Sequence, residues 1–82
     1  MGNPSLEQLL QQLDQAAAVA AQHDGMSLRL MQGGIQIVYI VGSEKTGFKR
    51  WDNFTPWNAV LATGSSLTRA ITSLTKKAAA DQ

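Results

Sequence analysis

His23 is the single imidazole in 82 residues, and its nearest acid, Asp24, is its immediate neighbour in sequence. Paired ligands on one helix need a spacing of three or four residues, so Asp24 points elsewhere and the two cannot chelate a metal. His23 reads instead as a helix-end residue, where a cation meets the negative pole of the dipole. Serines and threonines are numerous, but a hydroxyl becomes a nucleophile only beside a base, and no matched carboxylate pair or second imidazole is present to serve. The expectation is a chain that is not an enzyme and that holds no metal and no cofactor.

Two segments carry binding chemistry. The first is Thr63-Gly64-Ser65-Ser66 leading into a helix with Arg69 one turn on. Free backbone amides at such a start, with Gly64 allowing close approach, could hold the phosphate of a small ligand through Gly64, Ser65, Ser66 and Arg69. The segment lacks the glycine spacing and the Lys-Ser/Thr pair of a P-loop, and serine there also serves simply as a cap.

The second segment is GFKRWDNFTPW, in which Phe48, Trp51, Phe54 and Trp57, four of the five aromatic residues, interleave with Lys49, Arg50 and Asp52. Strand side chains share a face only at even spacing, so aromatics three apart cannot form one exposed ladder. Phe48, Phe54 and Trp57 are expected to close the core of a small domain. Trp51, beside Arg50 and Asp52, is expected outside with Lys49.

The elements that must position these residues follow from periodicity. Leu6, Leu9, Leu10, Leu13, Ala17 and Ala20 recur at helical spacing from about Ser5 to His23, with Gln11, Gln12, Gln15 and Gln22 on other faces. Asn3-Pro4 and a Ser5 to Gln8 capping box mark the start, and Asp24-Gly25 the exit. A hairpin from Met26 to Val41 is predicted to turn at Gly33-Gly34. That turn would oppose Leu30 to Ile37, Leu28 to Tyr39 and Met26 to Val41, making one sheet face apolar. The other face would hold Ser27, Arg29, Met31, Gln36, Val38 and Ile40.

After the GSEKTG loop, Phe48 to Trp51 returns as a short third strand. Pairing Val41 with Phe48 would turn Phe48 and Arg50 to the apolar face, and Lys49 and Trp51 to the mixed one; a slip of one residue would reverse them. Asp52-Asn53 reads as a turn, and Thr55-Pro56 as a helix cap with proline in the first position. Trp57, Val60 and Leu61 form one helical stripe, and Leu67, Ile71, Leu74 and Ala78 another, with a break expected at Thr63 to Ser66. Met1 to Asn3 and Ala78 to Gln82 are expected to fray.

The fold class is therefore α+β, a two-layer α-β-β-(β)-α sandwich with an antiparallel hairpin or meander, both helices on one sheet face and the opposite face open. The element order resembles that of double-stranded RNA-binding domains. The lysine-rich helix start used by that family is replaced here by Gly64-Ser65-Ser66-Leu67, so the likeness is one of topology.

Composition bounds the partners. Residues 1–82 read as one small domain, and of 36 apolar residues 11 are Ala, which adds little buried area, so self-association would help stability. Residues 1–24 carry three acids and no Lys or Arg; from Gly25 onward seven basic residues face three acids, leaving a net charge of only +1. A dedicated nucleic-acid domain usually carries a much larger excess. With no cysteine, no leader and no apolar run approaching the about 20 residues of a membrane helix, a cytoplasmic setting without membrane contact is expected.

The reading that follows is a protein-binding module of inhibitor or adaptor type. It would form a homodimer or dock on another protein through Arg29, Met31, Val38, Ile40, Lys49 and Trp51, because apolar Met31, Val38 and Ile40 do not suit a solvated face. The alternative is nucleic-acid binding through Arg29, Lys49, Arg50 and Trp51. A third is the phosphate-bearing ligand at Gly64 to Ser66.

Overall fold

The computed structural model describes residues 6–80, the side chain of Leu6 excepted. The start signals at Asn3-Pro4 and Ser5, the fraying of Met1 to Asn3, and Asp81 and Gln82 lie outside the described residues. The order is α1 (Leu6–Ala21), β1 (Met26–Met31), β2 (Gly34–Ser43), β3 (Gly47–Pro56), α2 (Trp57–Ala62) and α3 (Ser66–Ala80). The three strands form one antiparallel meander in the order β1-β2-β3, so the fold is α+β.

The core lies between the helices and one sheet face. It joins Ala16 and Ala20 of α1, Ile35 and Ile37 of β2, Val60 of α2, and Leu67, Ala70, Ile71 and Leu74 of α3. The stripe of α3 is buried as its spacing predicts, and Ala78, expected to fray, is buried in a helix that runs on to Ala80. The stripe of α1 is rotated from the predicted one. Leu9, Leu13 and Val19 join the core edge, Ala16 replaces Ala17, and Leu10 is exposed.

Gln12 explains the rotation. Expected on a solvated face, it is only 6% exposed. Its Nε2 donates to Val60 O at 3.0 Å and to Thr63 O at 3.3 Å, and its Oε1 accepts from Leu67 N at 3.5 Å. One side chain thus satisfies carbonyls freed at the end of α2 and an amide freed at the start of α3, groups that no helix can pair internally. The expected break between those helices is present. The Ser66 hydroxyl also secures it, donating to Ala59 O at 2.7 Å.

The sheet departs from the predicted pairing twice. In the first hairpin Leu30 opposes Ile35, Leu28 opposes Ile37 and Met26 opposes Tyr39, a slip of two residues from the expected register. The loop is Gln32-Gly33, whose carbonyls accept from Trp57 Nε1 at 2.8 Å and Trp57 N at 3.2 Å. Gly34 belongs to β2, pairing with Met31 and Pro56, and a Cβ there would collide with Thr55 O on β3. Glycine serves close strand approach here rather than the turn. An even slip leaves every side chain on its predicted face.

The second departure is odd and changes faces. Val41 opposes Lys49, not Phe48, and Ser43 opposes Gly47 across the loop Glu44-Lys45-Thr46. Ser43 Oγ accepts from Thr46 N at 3.2 Å, and Gly47 takes the left-handed φ of +82°, the combination of a three-residue hairpin loop ending in glycine. The third strand is also longer than expected, ten residues rather than four. Asp52 and Asn53, read as a turn, lie within it. Same-face neighbours engage both: Arg50 Nε donates to Asp52 Oδ1 at 2.8 Å, and Thr55 Oγ1 to Asn53 Oδ1 at 2.8 Å. Pro56 is the N-cap of α2, with no side-chain capping bond, so the strand runs directly into the helix.

Candidate interaction face

Strand parity with the observed register divides the sheet's side chains. Leu28, Ile35, Ile37, Tyr39, Lys49 and Trp51 stand on the helix side; Arg29, Met31, Val38, Ile40, Phe48, Arg50, Asp52 and Phe54 stand on the other. Helix cover reaches only the first group, enclosing Ile35 and Ile37 fully and leaving Lys49 exposed.

This placement inverts three of the four expected aromatics, Phe48, Trp51 and Phe54, while Trp57 packs against the core as expected. Phe48 is 63% exposed and Phe54 51% exposed, both on the open face. Trp51 and Trp57 are half-buried and rest against the core. Phe54 does have a structural task, because its ring edge lies over the backbone of Gly33 and Gly34. Lys49 is exposed on the helix side, and with Val41, Trp51 and Ala78 it lines a hollow between the second hairpin and the end of α3.

Of the six residues expected to bind a partner, Arg29, Met31, Val38 and Ile40 share the open face, while Lys49 and Trp51 do not. Phe48, Arg50 and Phe54 take their places. The set Arg29, Lys49, Arg50 and Trp51 is likewise split, with only the arginines together on the open face. Pairing Val41 with Phe48 hides Phe48, and reading Asp52-Asn53 as a turn ends the strand before Phe54 and hides it too. The signal for the correct pairing is the loop itself, Glu44-Lys45-Thr46 closed by Gly47.

The middle strand presents Gln36, Val38 and Ile40 on this face, and charge stands on either side of it, at Arg29 on β1 and at Arg50 and Asp52 on β3. Met31 and Ile40 are exposed, and Val38, level with Asp52 on β3, is half-buried. Arg50 and Asp52 form an exposed ion pair along β3; the hydrogen bond to Asp52, then its charge, raises the already high pKa of the guanidinium. Arg29, on the far strand, makes no ion pair among the described residues.

The other expected site is differently disposed. Thr63 Oγ1 and Ser66 Oγ lie 2.9 Å apart, Ser65 N donates to Thr63 Oγ1 at 3.3 Å, and Arg69 N donates to Ser65 O at 3.0 Å. Gly64 lines a hollow facing α1, with Gln8, Gln11 and Gln15, whereas Arg69 lines another with Thr72 and Lys76. Gly64 and Arg69 are therefore not brought to one cavity. His23 lies in the turn after α1, its ring edge-on to Tyr39 at 5.9 Å between centroids. Among the described residues there is no group of three or more His, Cys, Asp or Glu suited to a metal, and no helix long and apolar enough to cross a membrane.

Comparisons of the chain with family models, with curated proteins and with solved structures found no match.

Proposed function

We propose that this chain is a small, non-enzymatic protein-binding module of adaptor or inhibitor type that associates with itself through the open face of its sheet. One observation carries the reading: Met31, Ile40, Phe48 and Phe54, all large, apolar and exposed, share one sheet face with half-buried Val38. Whole aromatic side chains bury about 150–250 Å² each, so the two phenylalanines, on either side of Arg50 and Asp52 along β3, alone offer roughly 200 Å² here, and exposed apolar surface on that scale favours an interaction site. Arg29 and Arg50 complete the mixture of arginine, aromatics and Met that interfaces favour. The cysteine-free composition supports a cytoplasmic setting.

Solution mass by light scattering tests the reading. The wild-type chain is expected to run above monomer mass in a concentration-dependent way, and Val38→Lys, with folding checked by circular dichroism, to run as a monomer. A monomeric wild type whose solubility is untouched by Val38→Lys would remove the face from consideration.

A second reading has support from the same face. Phe48 and Phe54 lie on one strand with Arg50, and Arg29 lies across the sheet, a platform of stacking rings and cations such as single-strand binders use. It requires oligonucleotide affinity that falls steeply with salt. The net charge of +1 favours the protein-binding reading.

A further inference from the structure

We propose a specific arrangement for the self-association, and it rests on the reading of the open face given above. The occupant is a second copy of this chain laid face to face, with a two-fold axis running along β2. In this arrangement β1 of each copy covers β3 of the other, and Arg29 of each meets Phe54 and Asp52 of the second copy.

Charge favours this axis over the alternative. Arg29 on β1 and Asp52 on β3 project from the same face, separated by the middle strand, which presents Gln36, Val38 and Ile40 there. Arg29 has no partner among the described residues, and Asp52 has one cation, Arg50, at 2.8 Å, leaving acceptor capacity on its carboxylate. An axis along β2 exchanges the edge strands and keeps each residue at its own height. Arg29 stands level with Gln36 and Phe54, and Asp52 one step along with Val38. The guanidinium of one copy then lies over the Phe54 ring of the other and within reach of Asp52 two residues away, combining a cation–π contact with an ion pair. An axis across the strands lays β1 on β1 and β3 on β3. Each Arg29 would then enter the interface without a carboxylate opposite, which costs free energy wherever water is excluded.

Strands rise about 3.4 Å per residue and lie about 4.8 Å apart, so β2 on β2, with six-residue β1 over the facing part of β3 on either side, overlap over roughly 360 Å² of plane. Two copies together then bury roughly 700 Å² of plane, and side chains standing on it expose more than the plane itself, which brings the contact towards the about 1,000 Å² at the lower edge of specific interfaces. Such an interface belongs to the weaker class, with exchange between monomer and dimer.

Mixing of charge-reversed variants tests the arrangement. Arg29→Asp alone places two carboxylates together across the interface, and Asp52→Arg alone places two guanidiniums together. Each is expected to raise the dimer dissociation constant about tenfold or more, since like charges across an interface are strongly unfavourable. An equimolar mixture of the two variants restores both pairs and is expected to form a heterodimer about as tight as the wild type, read by sedimentation equilibrium with circular dichroism confirming that each variant is folded. If wild type dimerises and Val38→Lys abolishes it, but the mixture is no tighter than either variant alone, the open face stands and this arrangement is overturned. If wild type is monomeric at every concentration, the reading of the face as a self-association surface falls with it.

Discussion

The two faces of the sheet contrast within single strands. Along β2, Ile35 and Ile37 are fully enclosed, while Val38 is half-buried and Ile40 is 43% exposed. All four are β-branched and apolar, so composition does not separate the faces; cover does. On one side, α1 and α3 spread small and medium side chains, Ala16, Ala20, Leu67, Ala70, Ile71 and Leu74, over the strands. On the other, side chains of the same kind stand in the open beside two phenylalanines. An apolar surface that the fold does not cover is one that a partner can.

The contrast also has an imperfect edge. Leu30 points to the helix side yet is 64% exposed, because β1 is an edge strand and the helices do not reach over its end. Cover, and not the direction of a side chain alone, decides burial.

Breaking the covered face is expected to have the largest effect. Ile37→Ala removes a fully buried branched side chain and should cost about 2–5 kcal/mol, seen in urea unfolding as a lower midpoint with an unchanged slope. Val38→Ala, one residue away on the open side, is expected to cost less in dilute solution and to weaken association more. Equal destabilisation by the two would erase the distinction.

Next comes the polar link that holds the helices over that face. Gln12→Ala leaves two carbonyls of the α2–α3 break without their partner and should cost about 1–3 kcal/mol. Amide exchange is expected to accelerate at Leu67 in particular, because its N–H loses its acceptor. A smaller effect is expected from Phe48→Ser. With 63% of Phe48 exposed, its loss should change dilute-solution stability by no more than about 0.5 kcal/mol and weaken self-association less than Val38→Ala does, because Phe48 stands level with Gly42, past the end of the overlying β1.

How far the sequence reveals this contrast depends on parity. The alternation of Met26, Leu28 and Leu30 against Ile35, Ile37 and Tyr39 identifies the covered face even with the hairpin register displaced by two, since an even slip preserves faces. The helix break and the α3 stripe are equally legible, through the Thr63 to Ser66 cap residues and Leu67, Ile71, Leu74 and Ala78. The third strand is not. Its identity as covered or open turns on one residue of register, set by Ser43, Thr46 and Gly47 in the loop and not by the apolar pattern of Phe48 to Trp51, which is ambiguous at three-residue spacing. Gln12 was hidden for a different reason. A glutamine on an amphipathic helix looks solvated until the elements that need its hydrogen bonds are in place.

The most direct measurement follows the isoleucine methyl signals in NMR spectra through a dilution series. Ile40 lies on the open face, and Ile35, Ile37 and Ile71 lie in the core. Self-association through the open face predicts that the Ile40 resonances shift with concentration while those of Ile35, Ile37 and Ile71 stay fixed. Four sets of signals that remain unmoved from micromolar to millimolar concentration would contradict it.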